Sequence, residues 1–249
     1  MINSFYSFVT PVKNQENEIY DNIFKLIKKI KKNSFIKNWE IVIIDDGSDD
    51  KTFKKLIYLK KKEKRIKIFK NFRNKGKGYS IKRGINNINV KSSRVVLIDS
   101  DIPYYNELGL FLKKLQNNDL VIINRRDKRS KFIINNNNNI YSYLRFFIGN
   151  SINLLFRFLN LTDQKDTQAG LKGFNAKYKK LFKKVKTNGF LFDLELLILF
   201  SNKGLKPFSI PSKYSVSQNS SIKLKFGTFY KIFSDLVTIY INDCKKKYN

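Results

Sequence analysis

At 249 residues, with 42% hydrophobic and 14% aromatic content, the chain can bury a sizeable core, which excludes a disordered polyelectrolyte. No histidine and a single cysteine exclude His-assisted nucleophiles, His or thiolate metal sites and an internal disulfide, so any metal must be a hard ion on carboxylates. The net charge of +30 points to a polyanionic partner, or in part to A/T-biased codons, because the excess is mostly lysine in a chain rich in Asn and Ile.

Along the chain, 4–12 reads as a strand and 18–31 as a helix whose Ile19, Ile23, Leu26, Ile27 and Ile30 recur at helical spacing. EIVIID at 40–45 is an apolar run too continuous to have one wet face, the pattern of a buried parallel strand. A helix over 52–62, a strand over 65–69, a helix over 79–87 and a second buried strand over 94–98 come next, then a helix over 107–115 and a strand over 119–123. This alternation predicts an α/β fold with a doubly wound, mostly parallel sheet flanked by helices, and places functional residues in loops at the carboxyl ends of its strands.

Beyond residue 124 the pattern changes. KRSKFIINNNNN (128–139) reads as a mobile loop, and 141–159 as a helix with Leu144, Ile148, Ile152, Leu155 and Leu159 along one face. A short strand over 171–174, a helix over 194–202 and an extended segment over 206–216 are expected next. The last element is an amphipathic helix over 226–240, its apolar face made by Phe226, Phe229, Tyr230, Phe233, Leu236, Val237 and Tyr240. That face suits either core packing or a membrane surface. No repeat or Pro/Gly/Ser-rich linker divides the chain, so one domain over 1–249 is expected. No segment reaches the roughly 18–20 apolar residues of a membrane span, and no signal peptide pattern opens the chain, which suggests a cytoplasmic protein.

Three loops come directly after predicted strands. DDGSDD (45–50) repels phosphates but can accept hydrogen bonds from a base or ribose; alternatively it is a turn and helix cap before Thr52. NFRNKGKGYSIKRG (71–84) brackets Lys77 with Gly76 and Gly78 just before a helix, which favours an anion, although a solvated basic loop reads the same way. In VVLIDSDIP (95–103) residues i and i+2 of an extended chain share a side, so Asp99 and Asp101 can present both carboxylates together. Such a pair suits Mg²⁺ or Mn²⁺, unless it is only the polar end of a strand.

VTPVKNQEN, IVIIDDGSDD, NKGKGYSIKRG and VVLIDSDIP, in that order and spacing, resemble glycosyltransferase family 2 enzymes of the GT-A fold. The likeness continues in DTQAGLKGF (166–174) and FLFDLELL (190–197), which resemble the DTQCGFKLF and FDVELL segments of polyprenyl- and dolichyl-phosphate glycosyltransferases, and in IPSKY (210–214) with SSIKL (220–224) after it. It implies a nucleotide-sugar-binding half over 1–124 and an acceptor half over 125–249. Pro11, Asp45 and Asp46 would contact the nucleobase and ribose, with Lys77 near the nucleotide. Asp99 and Asp101 would be the DxD pair, with Asp101 the first choice for direct metal ligation and Asp99 on the metal or the ribose. Arg125 and Arg126 would meet the acceptor phosphate or the diphosphate, and Asp166, Asp193 or Glu195 would orient or deprotonate the acceptor. Ile123, Ala169 and Tyr214 stand where the family carries glycine, cysteine and tryptophan.

The resemblance implies a metal-dependent, inverting transfer from a nucleoside diphosphate sugar, with uridine the favoured base, to a polyprenyl or dolichyl phosphate. A saccharide acceptor in surface polysaccharide synthesis is the alternative. A lipid acceptor would also account for the positive charge through peripheral attachment to an anionic leaflet at the cytoplasmic membrane face. A non-enzymatic nucleic-acid-binding protein is the remote alternative; it explains the charge alone and leaves DDGSDD and DSD unexplained, since acidic loops repel phosphates, so nucleic acid is not the expected partner.

Overall fold

The computed structural model describes residues 4–133, 139–214 and 226–248. The order of elements is β1 (Phe5–Val12), α1 (Ile19–Lys32), β2 (Asn38–Asp45), α2 (Thr52–Lys62), β3 (Ile66–Lys70), α3 (Lys77–Asn86), β4 (Ser92–Ile98), α4 (Leu108–Leu115), β5 (Leu120–Asn124) and β6 (Lys131–Phe132). After it come α5 (Asn139–Phe158), β7 (Leu171–Asn175), a 3-10 helix (Ala176–Lys183), α6 (Phe192–Ser201), β8 (Phe208–Pro211), β9 (Lys213–Tyr214) and α7 (Phe226–Cys244).

Seven strands form one sheet in the order β3-β2-β1-β4-β7-β5-β8. β1 pairs in parallel with β2 and β4, β2 with β3, and β5 with β8, whereas β7 runs antiparallel between β4 and β5. Both faces are covered, and the period-2 alternation of the strands assigns side chains to them. Tyr6, Phe8, Trp39, Ile41, Ile43, Val96 and Ile98 face the layer with α1, α2 and α4, while Val9, Val42, Ile44, Val95 and Leu97 face the layer with α3 and α6. This is why the central strands read as continuous apolar runs.

α1 buries the five residues picked out by its spacing, Ile19, Ile23, Leu26, Ile27 and Ile30, each contributing roughly 1.5–3 kcal/mol. α6 has no wet face: every residue from Phe192 to Phe200 is buried, Asp193 and Glu195 included. Two expectations need correction. On α5 the core takes Phe156, with Ile152 and Leu159 beside it, while Leu155 is exposed, one residue out of the expected face. Part of the loop expected over 128–139 is a strand, with Lys131 and Phe132 pairing with Lys213 and Tyr214. Residues 134–138 of that loop, SSIKL at 220–224, and the side chains of Leu144, Ile148, Phe226 and Phe229 lie outside the described residues.

α7 turns Ile239 into the core, with Ile232 and Leu236 packed beside it, and leaves Tyr230, Phe233, Val237 and Tyr240 exposed. No helix among the described residues is long and apolar enough to cross a membrane.

The antiparallel β7 is what assembles the site. The parallel strands β1, β2, β4 and β5 end at one edge of the sheet, and β7 begins there, so the DTQAG segment meets the ends of β4 and β5. The backbone N–H of Asp99 donates to the carbonyl of Gly170 at 3.0 Å.

Candidate active site

At the ends of β1 and β2, Val12 sits beside Asp45, and the N–H of Asp46 donates to the Val12 carbonyl at 2.8 Å. Pro11 is the register partner of Ile44, one step back. The two acidic residues do different things. Asp46 accepts from Asn71 Nδ2 (2.7 Å) and from the backbone N–H groups of Lys75 (2.9 Å) and Gly76 (2.8 Å), so its carboxylate clamps the basic loop in place. Asp45 accepts from the Ser48 N–H through Oδ1 at 3.0 Å, while its Oδ2 is buried without a protein partner. A buried carboxylate oxygen without a protein donor is free to accept one from a ligand or an ordered water. Of the pair read as base- and ribose-contacting, Asp45 has an oxygen with no protein donor, whereas both oxygens of Asp46 already accept from the basic loop.

The acidic loop is also the turn that leads into α2: Thr52 N–H donates to Asp50 Oδ1 at 2.9 Å. Gly47 has φ of +68°, and a Cβ there would lie 2.6 Å from the Arg73 backbone, so only glycine lets the acidic and basic loops meet.

Lys77, the first residue of α3, points across the edge of the sheet. Its Nζ lies 2.9 Å from Asp99 Oδ1 and 3.0 Å from Asp193 Oδ2. Burial opposes the ammonium, but the charges of Asp193 and Asp99 outweigh it and hold Lys77 well above the usual lysine range. Asp193 Oδ1 accepts from Lys172 Nζ at 2.7 Å; burial pushes Asp193 up, yet Lys172 and Lys77 together leave it below the usual carboxylate range. Lys172, alone among apolar neighbours on β7, was not picked out by sequence reasoning.

Asp101 lies open to solvent, but protein atoms crowd its closed side. That crowding, and then the charge of Asp99, raise its carboxyl to about 6. The set of two hard oxygen ligands, one destabilised by negative charge and open to solvent, fits Mg²⁺ or Mn²⁺, which complete their shells with phosphate and water. No group of three His, Cys, Asp or Glu side chains forms a fuller cage among the described residues.

Across the edge, Asp166 is fully buried and takes three donors from Arg125: its N–H (2.9 Å), Nε (2.7 Å) and Nη2 (2.7 Å). Arg126 Nη1 approaches the same carboxylate at 3.1 Å, and Arg126 Nε donates to Asn150 Oδ1 at 2.7 Å. Burial pushes Asp166 up, but the arginines prevail and hold it at about 2. A cleft of about 540 Å³ opens beside Arg126, with Lys128, Arg129 and Lys165 on its walls and Asp127 and Asp163 among them.

Glu195 stands apart from this edge chemistry. Buried on α6, it accepts from the N–H groups of Lys186 and Thr187 (both 2.8 Å), Thr187 Oγ1 (2.6 Å) and Tyr248 Oη (2.7 Å). Four donors fill the carboxylate, so no lone pair remains to take a proton from an acceptor.

A mostly parallel sheet with helices on both faces, carrying the Asp99/Asp101 pair at the end of β4, is the GT-A architecture, and this protein is a glycosyltransferase. The chain belongs to glycosyl transferase family 2, whose family model matches residues 7–180. It is similar to a dolichyl-phosphate beta-glucosyltransferase of Trichomonas vaginalis, 25% identical over 95% of this chain and 73% of that protein. The dolichyl-phosphate beta-glucosyltransferase of Saccharomyces cerevisiae is also 25% identical, over 94% of this chain and 74% of its own length. Among solved structures, the fold resembles glucosyl-3-phosphoglycerate synthase of Mycobacterium tuberculosis in complex with Mn²⁺, uridine diphosphate and phosphoglyceric acid (TM-score 0.62, 18% identity, 95% of this chain and 78% of that one). The same enzyme with Mn²⁺, UDP-glucose and phosphoglyceric acid gives TM-score 0.62 at 16% identity, covering 95% and 80%.

Proposed function

We propose that this chain moves a sugar, glucose being the first candidate, from a UDP-sugar to a polyprenyl or dolichyl phosphate, working at an anionic membrane face. The observation that carries the acceptor class is the state of the acidic residues in the acceptor half. Asp166 and Asp193 are each locked in ion pairs that depress their proton affinity, and Glu195 is saturated by four donors. A saccharide hydroxyl needs a general base; a phosphate monoester is already ionised and needs positioning.

In this reading Asp45 Oδ2 would accept from the nucleobase, and Asp99 and Asp101 would hold Mg²⁺ or Mn²⁺. Bound there, the ion would supply Lewis-acid stabilisation of the leaving diphosphate. Arg125, fixed by Asp166, carries the backbone of the β5 loop, and Arg126 with the lysines of its cleft receives the acceptor phosphate. Residues 1–124 serve the donor and 125–249 the acceptor. The exposed Tyr230, Phe233, Val237 and Tyr240 of α7, on a chain of net charge +30, suit peripheral docking on anionic lipid from the cytoplasmic side. The names of the curated relatives support the acceptor, and the uridine diphosphate complexes of the similar structures support the donor.

The test is transfer of radiolabel from UDP-glucose, with Mn²⁺, to dolichyl phosphate in anionic vesicles. Label should enter the organic phase and should do so in neither Asp101→Asn protein nor EDTA. Label that stays water-soluble and enters an added saccharide would replace the lipid acceptor with a sugar.

A further inference from the structure

The line Asp99, Lys77, Asp193, Lys172 alternates in charge from the open end of β4 to the buried middle of β7. Its contacts are 2.9, 3.0 and 2.7 Å, and Lys172 Nζ ends the line by donating to the Ala169 carbonyl at 2.7 Å. Exposure falls along it: 35% of the Asp99 side chain and 29% of Lys77 are accessible, against 5% of Asp193 and 1% of Lys172. The inner pair is fixed by burial, whereas the outer pair borders solvent and can exchange partners.

The two oxygens of Asp99 have different surroundings. Oδ1 faces Lys77, and Oδ2 packs against Gly170 so closely that a Cβ there would overlap it. A divalent cation on this carboxylate would sit within a few ångströms of the Lys77 ammonium and compete with it for Oδ1, and like charges at such separations repel strongly. An ammonium has three donors on a flexible stem, so Lys77 can keep Asp193 while exchanging Asp99 for a phosphate oxygen.

We propose that Lys77 is a built-in counter-ion that disfavours a divalent cation on Asp99 until a diphosphate draws the ammonium away, making metal binding conditional on the donor. Asp193, anchored by Lys172, is the positioning residue that keeps Lys77 within reach of both partners. This inference rests on the donor and metal reading of the site. It gives a reason for a buried lysine on β7 and a buried aspartate on α6 that proton transfer does not require.

The experiment is Mn²⁺ binding monitored by the electron paramagnetic resonance of the free ion, with and without UDP, beside UDP binding measured in EDTA. Wild type should bind Mn²⁺ weakly alone and more tightly with UDP. Lys77→Met should bind Mn²⁺ alone about tenfold more tightly and UDP alone about tenfold more weakly, within the range of ordinary site coupling. Lys77→Arg should behave as wild type in both. In an Asp99→Asn background Lys77→Met should leave Mn²⁺ binding unchanged, which isolates the pair. Asp193 keeps Lys172 in these variants, and Lys77→Gln serves as a second variant against a folding artefact. If Lys77→Met and Lys77→Gln leave the affinity for Mn²⁺ alone unchanged while wild type still binds and uses UDP-sugar, the counter-ion is overturned and the functional reading stands. Failure of wild type to bind UDP with or without Mn²⁺ overturns both.

Discussion

Nε of Arg125 donates to Oδ2 of Asp166 and Nη2 to Oδ1, both at 2.7 Å, a bidentate pair whose carboxylate is completely buried. The aspartate is thus a structural anchor for the arginine loop after β5. Its carboxyl sits at about 2 against an ordinary value of 3.8, a depressed pKa, so the stabilisation is complete above pH ~4 and lost as pH falls toward 2. Asp166→Asn leaves a guanidinium without its partner and should cost about 3 kcal/mol at pH 7. Urea unfolding of both proteins checks this: their difference should be flat from pH 5 to 7 and shrink below pH 4. A difference that persists undiminished at pH 2.5 would assign the loss to something other than the ion pair.

Asp101 carries the opposite shift. Crowding by protein and the charge of Asp99 raise its carboxyl to about 6, so between pH ~4 and 6 the folded chain binds more protons than the unfolded one and loses stability as pH rises. Asp101→Asn removes that repulsion. The metal-free variant should be slightly more stable than wild type at pH 7.5, by about 1 kcal/mol or less because the group is open to solvent. It should also lose metal-dependent transfer. Thermal melts in EDTA, paired with the transfer assay, read both effects; a variant that melts lower than wild type in EDTA contradicts the assigned repulsion.

The strands and helices were legible because burial on both faces of a sheet writes itself as apolar runs, as in EIVIID, and one-sided burial as helical spacing, as in the five residues of α1. The loop motifs were legible because a strand's end fixes where its next residues point. What the sequence left open was pairing across distance. Asp166 and Arg125 were each picked out but given separate tasks, and the structure joins them. Lys172 looked like one stray charge in a strand, because its partner Asp193 lies 21 residues on, and Lys77 reaches that same aspartate across 116 residues. The misplaced face of α5 is the same difficulty on a smaller scale: Leu155 and Phe156 are both apolar, and only the neighbouring elements decide which one turns inward.

Gly170 offers a test of the edge that substitutes no charged residue. A Cβ at this position would overlap Oδ2 of Asp99. The Asp99 side chain is partly exposed and can swing outward, so Gly170→Ala should melt within a few degrees of wild type, a loss of about 1 kcal/mol. If Asp99 holds the metal as proposed, displacing its carboxylate should nevertheless raise the Mn²⁺ concentration needed for half-maximal transfer, by about tenfold or more. An unchanged Mn²⁺ requirement would mean that Asp99 takes no part in holding the metal.

At Glu195 experiment can tell a structural carboxylate from a catalytic one. Its Oε1 accepts from Lys186 N–H and Tyr248 Oη, its Oε2 from Thr187 N–H and Oγ1, and the residue is wholly buried. These contacts pin the segment that also accepts from Lys82 Nζ through the Val185 and Thr187 carbonyls and from the Gly78 N–H through Asn188, so Glu195 fastens α6 and Tyr248, four residues past the end of α7, to the base of the basic loop. Glutamine at 195 would present an NH₂ group to donors, leaving buried N–H groups unmatched at a cost of about 2–4 kcal/mol. The expected signature of Glu195→Gln is a clear drop in melting temperature, with kcat within a few-fold of wild type well below that temperature. A general base would give the reverse, since removing one typically lowers the rate by about 10²–10⁴-fold and need not touch stability. Measuring both quantities on the same preparation decides between them: a large loss of kcat at unchanged stability places Glu195 in the catalytic machinery, and the expected pattern is the one a phosphate acceptor, ionised without a base, would give.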